Sequence, residues 1–570
     1  MNCRWIIILL AFLVQSACNT DTNVSKGDSL EEINIRLRKD PGKINPLFAL
    51  TASGRELYQY IFLPVADFHP ESLELFPILI ESIPEAYETT TDDGEKAVAY
   101  DLIFRDAAQW SDGQALTAAD YAFTIDVINH PLSKATRWKP YIENILSIKL
   151  YDDNPKKVTV YLNPDYMLSQ ETCVSIYPMP QHIYDTNKKL DIAATSDDTL
   201  QISLMDNINN AVNDRVGIVQ AGPYHITDEA SDEYLILEKR KNYWGDKIPN
   251  SPSLQGFAKK MVFKIVPDDL TAITMAKEGK LDFLELRSAD DFLDLRDNHA
   301  DSFSFHTPQL MFTYYIPMNN KSEILSDKIV RKALSHLIDV EDIIQTLDGG
   351  LGVRTIGPFH PTKSYYNESI TPISYDINKA KELLSSSGWQ DTDNDGILDK
   401  VINGKRTPME LEFLITGSPL SKNIALIFQQ NTKKAGVKLN IVAKKMSVMR
   451  KENLYTYKYD MAALAKASDV IADDPYSSWH SDNAIPGGSN TAAYNNPEVD
   501  ALIQKIRQTR DPEKREAYYL EFQQKIYEDQ PMIFLYSPLL KFVGNHKLNI
   551  TTTSKRPGYM ANTFTLIDEI

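Results

Sequence analysis

Two strand–helix–strand units, far apart in the chain, constrain its fold more than any other feature. In the first, residues 260–266 read Lys-Met-Val-Phe-Lys-Ile-Val, a β-rich and partly alternating run. Asp268 and Asp269 then supply helix caps, a helix runs towards Lys277, Gly279 stops it, and a second apolar run covers Leu281 to Leu286. In the second, Leu411 to Thr416 reads as a strand, Asn423 to Ala435 as a helix ended by Gly436, and Val437 to Ala443 as another strand. A βαβ unit belongs to an α/β architecture, so two separated units predict two α/β lobes. At roughly 150 residues per domain, a chain of 570 residues has room for three to four domain-sized units.

Other segments support the same class. Val330, Ala333, Leu334, Leu337 and Ile338 recur at helical spacing and form one apolar face. Asp511-Pro512 places an N-cap before an N1 proline and opens a long helix towards Asp529, with a strand expected over Met532 to Tyr536. Thr117 and Asp120 have capping-box spacing before an apolar helix, and Trp110-Ser-Asp-Gly113 just ahead of them is a turn signal. Burial statistics place an aromatic such as Trp110 in the core.

The N-terminus carries an address. Arg4 precedes an apolar run from Trp5 to Val14, and Gln15-Ser16-Ala17-Cys18 follows. This is a secretory signal pattern over residues 1–17, shorter than the run of about 20 residues that a spanning helix needs. Ala17-Cys18 resembles a bacterial lipobox, with Gln15 in place of its usual aliphatic residue. An acylated Cys18 would anchor the protein to a membrane surface through a polar tether over residues 18–29. Cys3 leaves with the signal, so Cys173 has no partner and no intrachain disulfide is expected.

Charge excludes one class of partner. With 78 acidic and 60 basic side chains the formal net charge is −18, which repels nucleic-acid backbones. No G-x-S-x-G elbow, Walker A loop or H-E-x-x-H motif occurs, and the ten histidines lack ligand spacing. The expectation is therefore a binding protein without a catalytic cofactor. One motif has metal logic. In Asp391-Thr-Asp393-Asn-Asp395-Gly396-Ile-Leu-Asp399, oxygen ligands alternate before a glycine, as at the start of a calcium loop. Ile402 stands where the bidentate Glu would be, with Asp399 as a partial substitute, so a structural calcium site and a plain polar turn both remain open.

Four landmarks, in register from about Asn34 to Tyr536, resemble the family 5 extracellular solute-binding proteins of ABC importers. They are Trp110-Ser-Asp-Gly-Gln-Ala-Leu-Thr-Ala-Ala-Asp-Tyr-Ala-Phe123; Ala221-Gly-Pro-Tyr224 with Leu237 to Gly245; Val330 to Asp339 within Asp327 to Ile343; and Asp474-Pro-Tyr476 with Asn496 to Asp500. The resemblance implies a two-lobed, periplasmic-binding-protein type II-like α/β fold with a subdomain inserted in the first lobe. Projected onto this chain, lobe I takes residues 30–70, 220–305 and 536–570, the insertion 71–219, and lobe II 306–535.

It also implies a monomer that captures an oligopeptide between the lobes and delivers it to an ABC permease. Nickel, haem and oligosaccharide are other ligands of the fold. In the peptide binders an Asp four residues before a proline meets the ligand ammonium. Here Ile471 holds that slot before Pro475, flanked by Asp469 and Asp473. Trp479, Asn490 and Tyr141 fall where the family contacts its ligand, with core packing the other reading of Trp479. The competing functions are a secreted hydrolase on a two-lobed fold and a peptide-binding sensor or adhesin without a transporter.

Overall fold

The computed structural model describes residues 30–49, 51–193, 195, 197–210 and 215–567. The signal over 1–17, the tether over 18–29 and Cys18 lie outside the described residues.

Lobe I is built on a seven-stranded sheet. Its order is Phe303–His306, Phe542–Asn545, Phe283–Glu285, Glu32–Leu37, Lys260–Ile265, Tyr234–Lys239 and Tyr224–Ala230. The first predicted βαβ unit is present, with Asp268 capping the helix Asp269–Lys277 by accepting from Thr271 N–H at 2.8 Å. Its two strands are not neighbours, because Glu32–Leu37 lies between them and pairs in parallel with both. Ile33, Ile35 and Leu37 are buried on one face of that strand, and Arg36 is buried on the other. Burial on both faces is what a parallel strand under crossover helices requires.

The insertion carries a four-stranded antiparallel sheet in the order Tyr87–Thr90, Lys96–Ile103, Lys157–Leu162 and Ile145–Leu150. The helix Ala118–Asn129 packs there, and the Asp120 carboxylate accepts from Thr117 N–H at 2.9 Å. Trp110 is a core residue, 1% exposed, whose indole N–H reaches Asp120 at 3.3 Å. Cys173 is free and buried.

In lobe II, Glu410–Ile415 pairs in parallel with Lys438–Ala443 across the helix Pro419–Lys434. That helix starts four residues before the expected Asn423, because Ser418 caps it and Pro419 occupies its first turn. The apolar face starting at Val330 is split between two helices, Lys328–Ser335 and Val340–Asp348, with Asp339 capping the second. Leu337 and Ile338 stay fully buried in the turn between them. Pro512–Asp529 is the long helix capped by Asp511.

The chain passes between the lobes on adjacent segments. Gln309 bridges Leu539, and Leu540 N–H donates to Pro308 O at 3.0 Å. Tyr536–Pro538 pairs with Gly352–Arg354, and Tyr536 packs in the lobe II core. The return crossing therefore lies at 539–541 rather than at 536, because strand pairing retains Tyr536–Pro538 in lobe II. Across the gap, the insertion touches lobe II. Met167 N–H donates to Arg507 O at 3.0 Å, Arg515 donates to Met167 O at 3.2 Å, and Arg510 pairs with Glu88 at 3.2 Å.

Candidate functional site

A cavity of about 620 Å³ lies between lobe I with its insertion and lobe II. That volume is in the range of small-molecule sites, roughly 300–1,000 Å³. One wall is the helix Ala52–Ile61, which Thr51 caps by accepting from Gly54 N–H at 2.9 Å. Gly54 is required there, since a Cβ would come within 2.7 Å of Lys43 O. Leu57, Tyr60 and Ile61 face the core, so Arg55, Glu56, Tyr58 and Gln59 are presented to the cavity. The insertion adds Arg137, Trp138, Tyr141, Glu171 and Tyr177, and the C-terminal segment adds Lys555, Arg556 and Pro557. Lobe II contributes Asp469, Val470 and Ile471.

Several wall charges are silenced by their surroundings. Burial raises the Glu56 carboxyl to about 8, and the Tyr559 hydroxyl donates to it. Burial also raises the Glu171 carboxyl, and it pushes the Tyr58 and Tyr177 phenols up. Lys555 pairs with Asp67. Arg556 is open to the cavity, yet surrounding protein and then the nearby Arg55 lower its guanidinium from the usual range. Arg137 donates to Ala49 O at 3.2 Å and lies 5.4 Å from the centre of the Trp138 ring.

The lobe II wall is held from behind. Lys363, 7% exposed, donates through Nζ to the carbonyls of Asp469 at 2.5 Å, Ile471 at 2.5 Å and Val470 at 3.3 Å. The same Nζ lies 3.5 Å from the Asp473 carboxylate. Tyr365 donates to that carboxylate at 2.8 Å and stacks on Tyr519 with centroids 4.0 Å apart.

The residues expected from the sequence therefore separate. Asp469 and Tyr141 are on the cavity wall, as is Ile471. Asp473 is turned into lobe II, where Tyr365 and Lys363 use its carboxylate, and Asp474 pairs with Arg507 at 3.0 Å. Trp479, 3% exposed, packs on Tyr494, Phe522 and Phe534 and does not line the cavity. Asn490 is fully buried and ties a turn, donating to the carbonyls of Trp479 and His480 at 3.3 Å and Tyr494 at 2.9 Å. Both depart from the expected ligand contact for one reason: their polar atoms and apolar surface are already used inside lobe II. Arg55, Glu56, Arg137 and Arg556 were not anticipated, and isolated basic or acidic residues in a chain this charged give no signal.

In the 391–399 loop, carboxylate oxygens of Asp391, Asp393 and Asp395 lie within 4.8 Å of one another and could hold a metal ion. Asp399 is outside that group. Its strand pairs with Lys405–Pro408, which brings Arg406 to 2.9 Å, and Thr392 donates to it at 2.8 Å. No described helix is long and apolar enough to cross a membrane.

Residues 75–487 match the family described as bacterial extracellular solute-binding proteins, family 5 Middle. The oligopeptide-binding protein AppA of Bacillus subtilis is 27% identical over 510 residues, 88% of this chain and 84% of its own length. A solved structure of AppA from Bacillus subtilis with a nonapeptide has a TM-score of 0.68 at 23% identity, covering 95% of this chain and 100% of that one. HbpA2 from Haemophilus parasuis reaches 0.75 at 17% identity, covering 94% of this chain and all of its own.

Proposed function

The chain belongs to the bacterial extracellular solute-binding proteins of family 5, the binding components of ABC importers and not enzymes, and from that premise we propose that its solute is an oligopeptide. The observation that carries this reading is the placement of Asp469. It lies on the lobe II wall of a cavity whose opposite wall is built by lobe I and the insertion, with one carboxylate oxygen accepting from Val470 N–H at 2.8 Å. A ligand ammonium leaving water needs such a partner, and extended backbone pairing supplies affinity without sequence preference. Asp473 is committed to Tyr365 and Lys363, which supports taking Asp469 as the amine anchor. The relative named for oligopeptide binding supports the choice of ligand.

The test is calorimetric titration of tetra-alanine and its N-acetylated form. Acetylation should weaken binding to the parent by about 2 kcal/mol, near the lower bound for losing one member of a buried charge pair. Asp469→Asn should abolish the difference, and equal affinity of the two peptides for the parent removes the anchor.

We further propose that the protein acts as a monomer held to a membrane through acylated Cys18, delivering its solute to the permease there. The supporting observation is the signal pattern ending in Ala17-Cys18. Cys18→Ser should move the protein from the membrane to the soluble fraction. Retention in the membrane fraction would exclude this anchor.

A further inference from the structure

Buried arginines elsewhere in this protein are satisfied internally. Arg36 donates to the carbonyls of Val266, Pro267 and Glu285, and Arg331 donates to those of Leu325, Asp529 and Gln530. The cavity arginines differ. Among the described residues, Arg55, Arg137 and Arg556 form no ion pair, and the only protein acceptor that any of their guanidinium groups reaches is Ala49 O, met by Arg137.

Two further wall acids, Glu285 and Asp469, face these three guanidinium groups, and Asp469 is near enough to attract Arg556. Lys555 and Asp67 neutralise each other, while Glu56 and Glu171 are pushed towards their protonated forms by burial. Arg55 also stands in the first turn of a helix with no acidic residue there, where the helix dipole disfavours a cation. Arg55 and Arg556, from opposite ends of the chain, are near enough to repel. Gathering like charges is unfavourable unless an anion bridges them.

We propose that Arg55, Arg137 and Arg556 form an anion subsite for the carboxylates of an acidic solute, a short peptide bearing Glu or Asp side chains. The assignment rests on the cavity being the oligopeptide site. A guanidinium matches a carboxylate with two parallel hydrogen bonds. Asp469 on the lobe II wall suits a ligand that also carries a positive group, as a peptide does and a simple polyanion does not.

The experiment is calorimetry on the full chain with Ala-Glu-Glu-Ala, Ala-Gln-Gln-Ala and citrate. The Glu peptide should bind about tenfold tighter or better than the Gln peptide. The double variant Arg55→Gln/Arg556→Gln should lose that preference and keep its affinity for the Gln peptide. Arg556→Gln alone should leave the melting temperature nearly unchanged, since it removes repulsion by Arg55 together with attraction by Asp469 and breaks no hydrogen bond. A lowered melting temperature would overturn the subsite. So would equal affinity for the two peptides, which leaves the oligopeptide reading intact. Citrate binding that depends on Arg55 and Arg556, with no binding of either peptide, would retain the anion subsite and overturn the oligopeptide reading. No binding of any of the three would overturn the subsite.

Discussion

On the lobe I side of the cavity, Arg55 and Arg556 stand without a protein acceptor among the described residues, whereas on the lobe II side Lys363 meets three carbonyls and a carboxylate. Lys363 is almost fully buried, so leaving its ammonium unpaired would cost several kcal/mol, and the fold supplies its partners. Arg55 and Arg556 face the cavity instead of the protein interior, so the fold can leave their charge for a solute.

Lys363→Met breaks the lobe II side and carries the largest expected effect. It strips the 469–471 carbonyls of their donor and leaves Asp473 with Tyr365 alone. Urea unfolding should show a loss of about 3–5 kcal/mol, the cost of removing one member of a buried pair. A loss below about 1 kcal/mol would mean that the loop does not depend on this anchor.

Glu56 sharpens the comparison on the lobe I side. Its folded-state value of about 8 exceeds the ordinary 4.5, so the folded protein binds more protons than the unfolded chain between those values. Stability therefore falls as pH rises from about 4.5 to about 8 and levels off above that. Glu56→Gln should flatten this decline, by about 2 kcal/mol once cavity water is allowed for. An unchanged pH profile of the melting temperature would deny the shift.

The same contrast recurs in the 391–399 loop, where the expected effect is smallest. Asp399 is saturated by Thr392 and Arg406, and Arg406 also pairs with Asp393 at 2.5 Å, while one Asp391 carboxylate oxygen is buried without a partner beside Asp393 and Asp395. We propose that these three carboxylates hold calcium. At calcium ten times above its dissociation constant the protein should gain about 1.4 kcal/mol of stability. No change in melting temperature up to millimolar calcium leaves the plain turn.

Helix starts at Asp268, Asp511 and Thr117 were legible in the chain because a cap is decided within four residues. Both βαβ units were legible for the same local reason. The insertion of Glu32–Leu37 between the two strands of the first unit was not, since it joins residues more than 200 positions apart. Trp479 and Asn490 matched a family position, yet packing absorbed them into lobe II. The cavity charges divide most sharply: Arg55, Arg137 and Arg556 look like ordinary solvated cations in the chain, and only the folded arrangement sets them together beside Glu56, whose carboxyl burial raises to about 8. Caps and periodicity act through neighbours in sequence. Charge compensation acts through distance in space, and so which charges meet at the cavity was decided by tertiary structure alone.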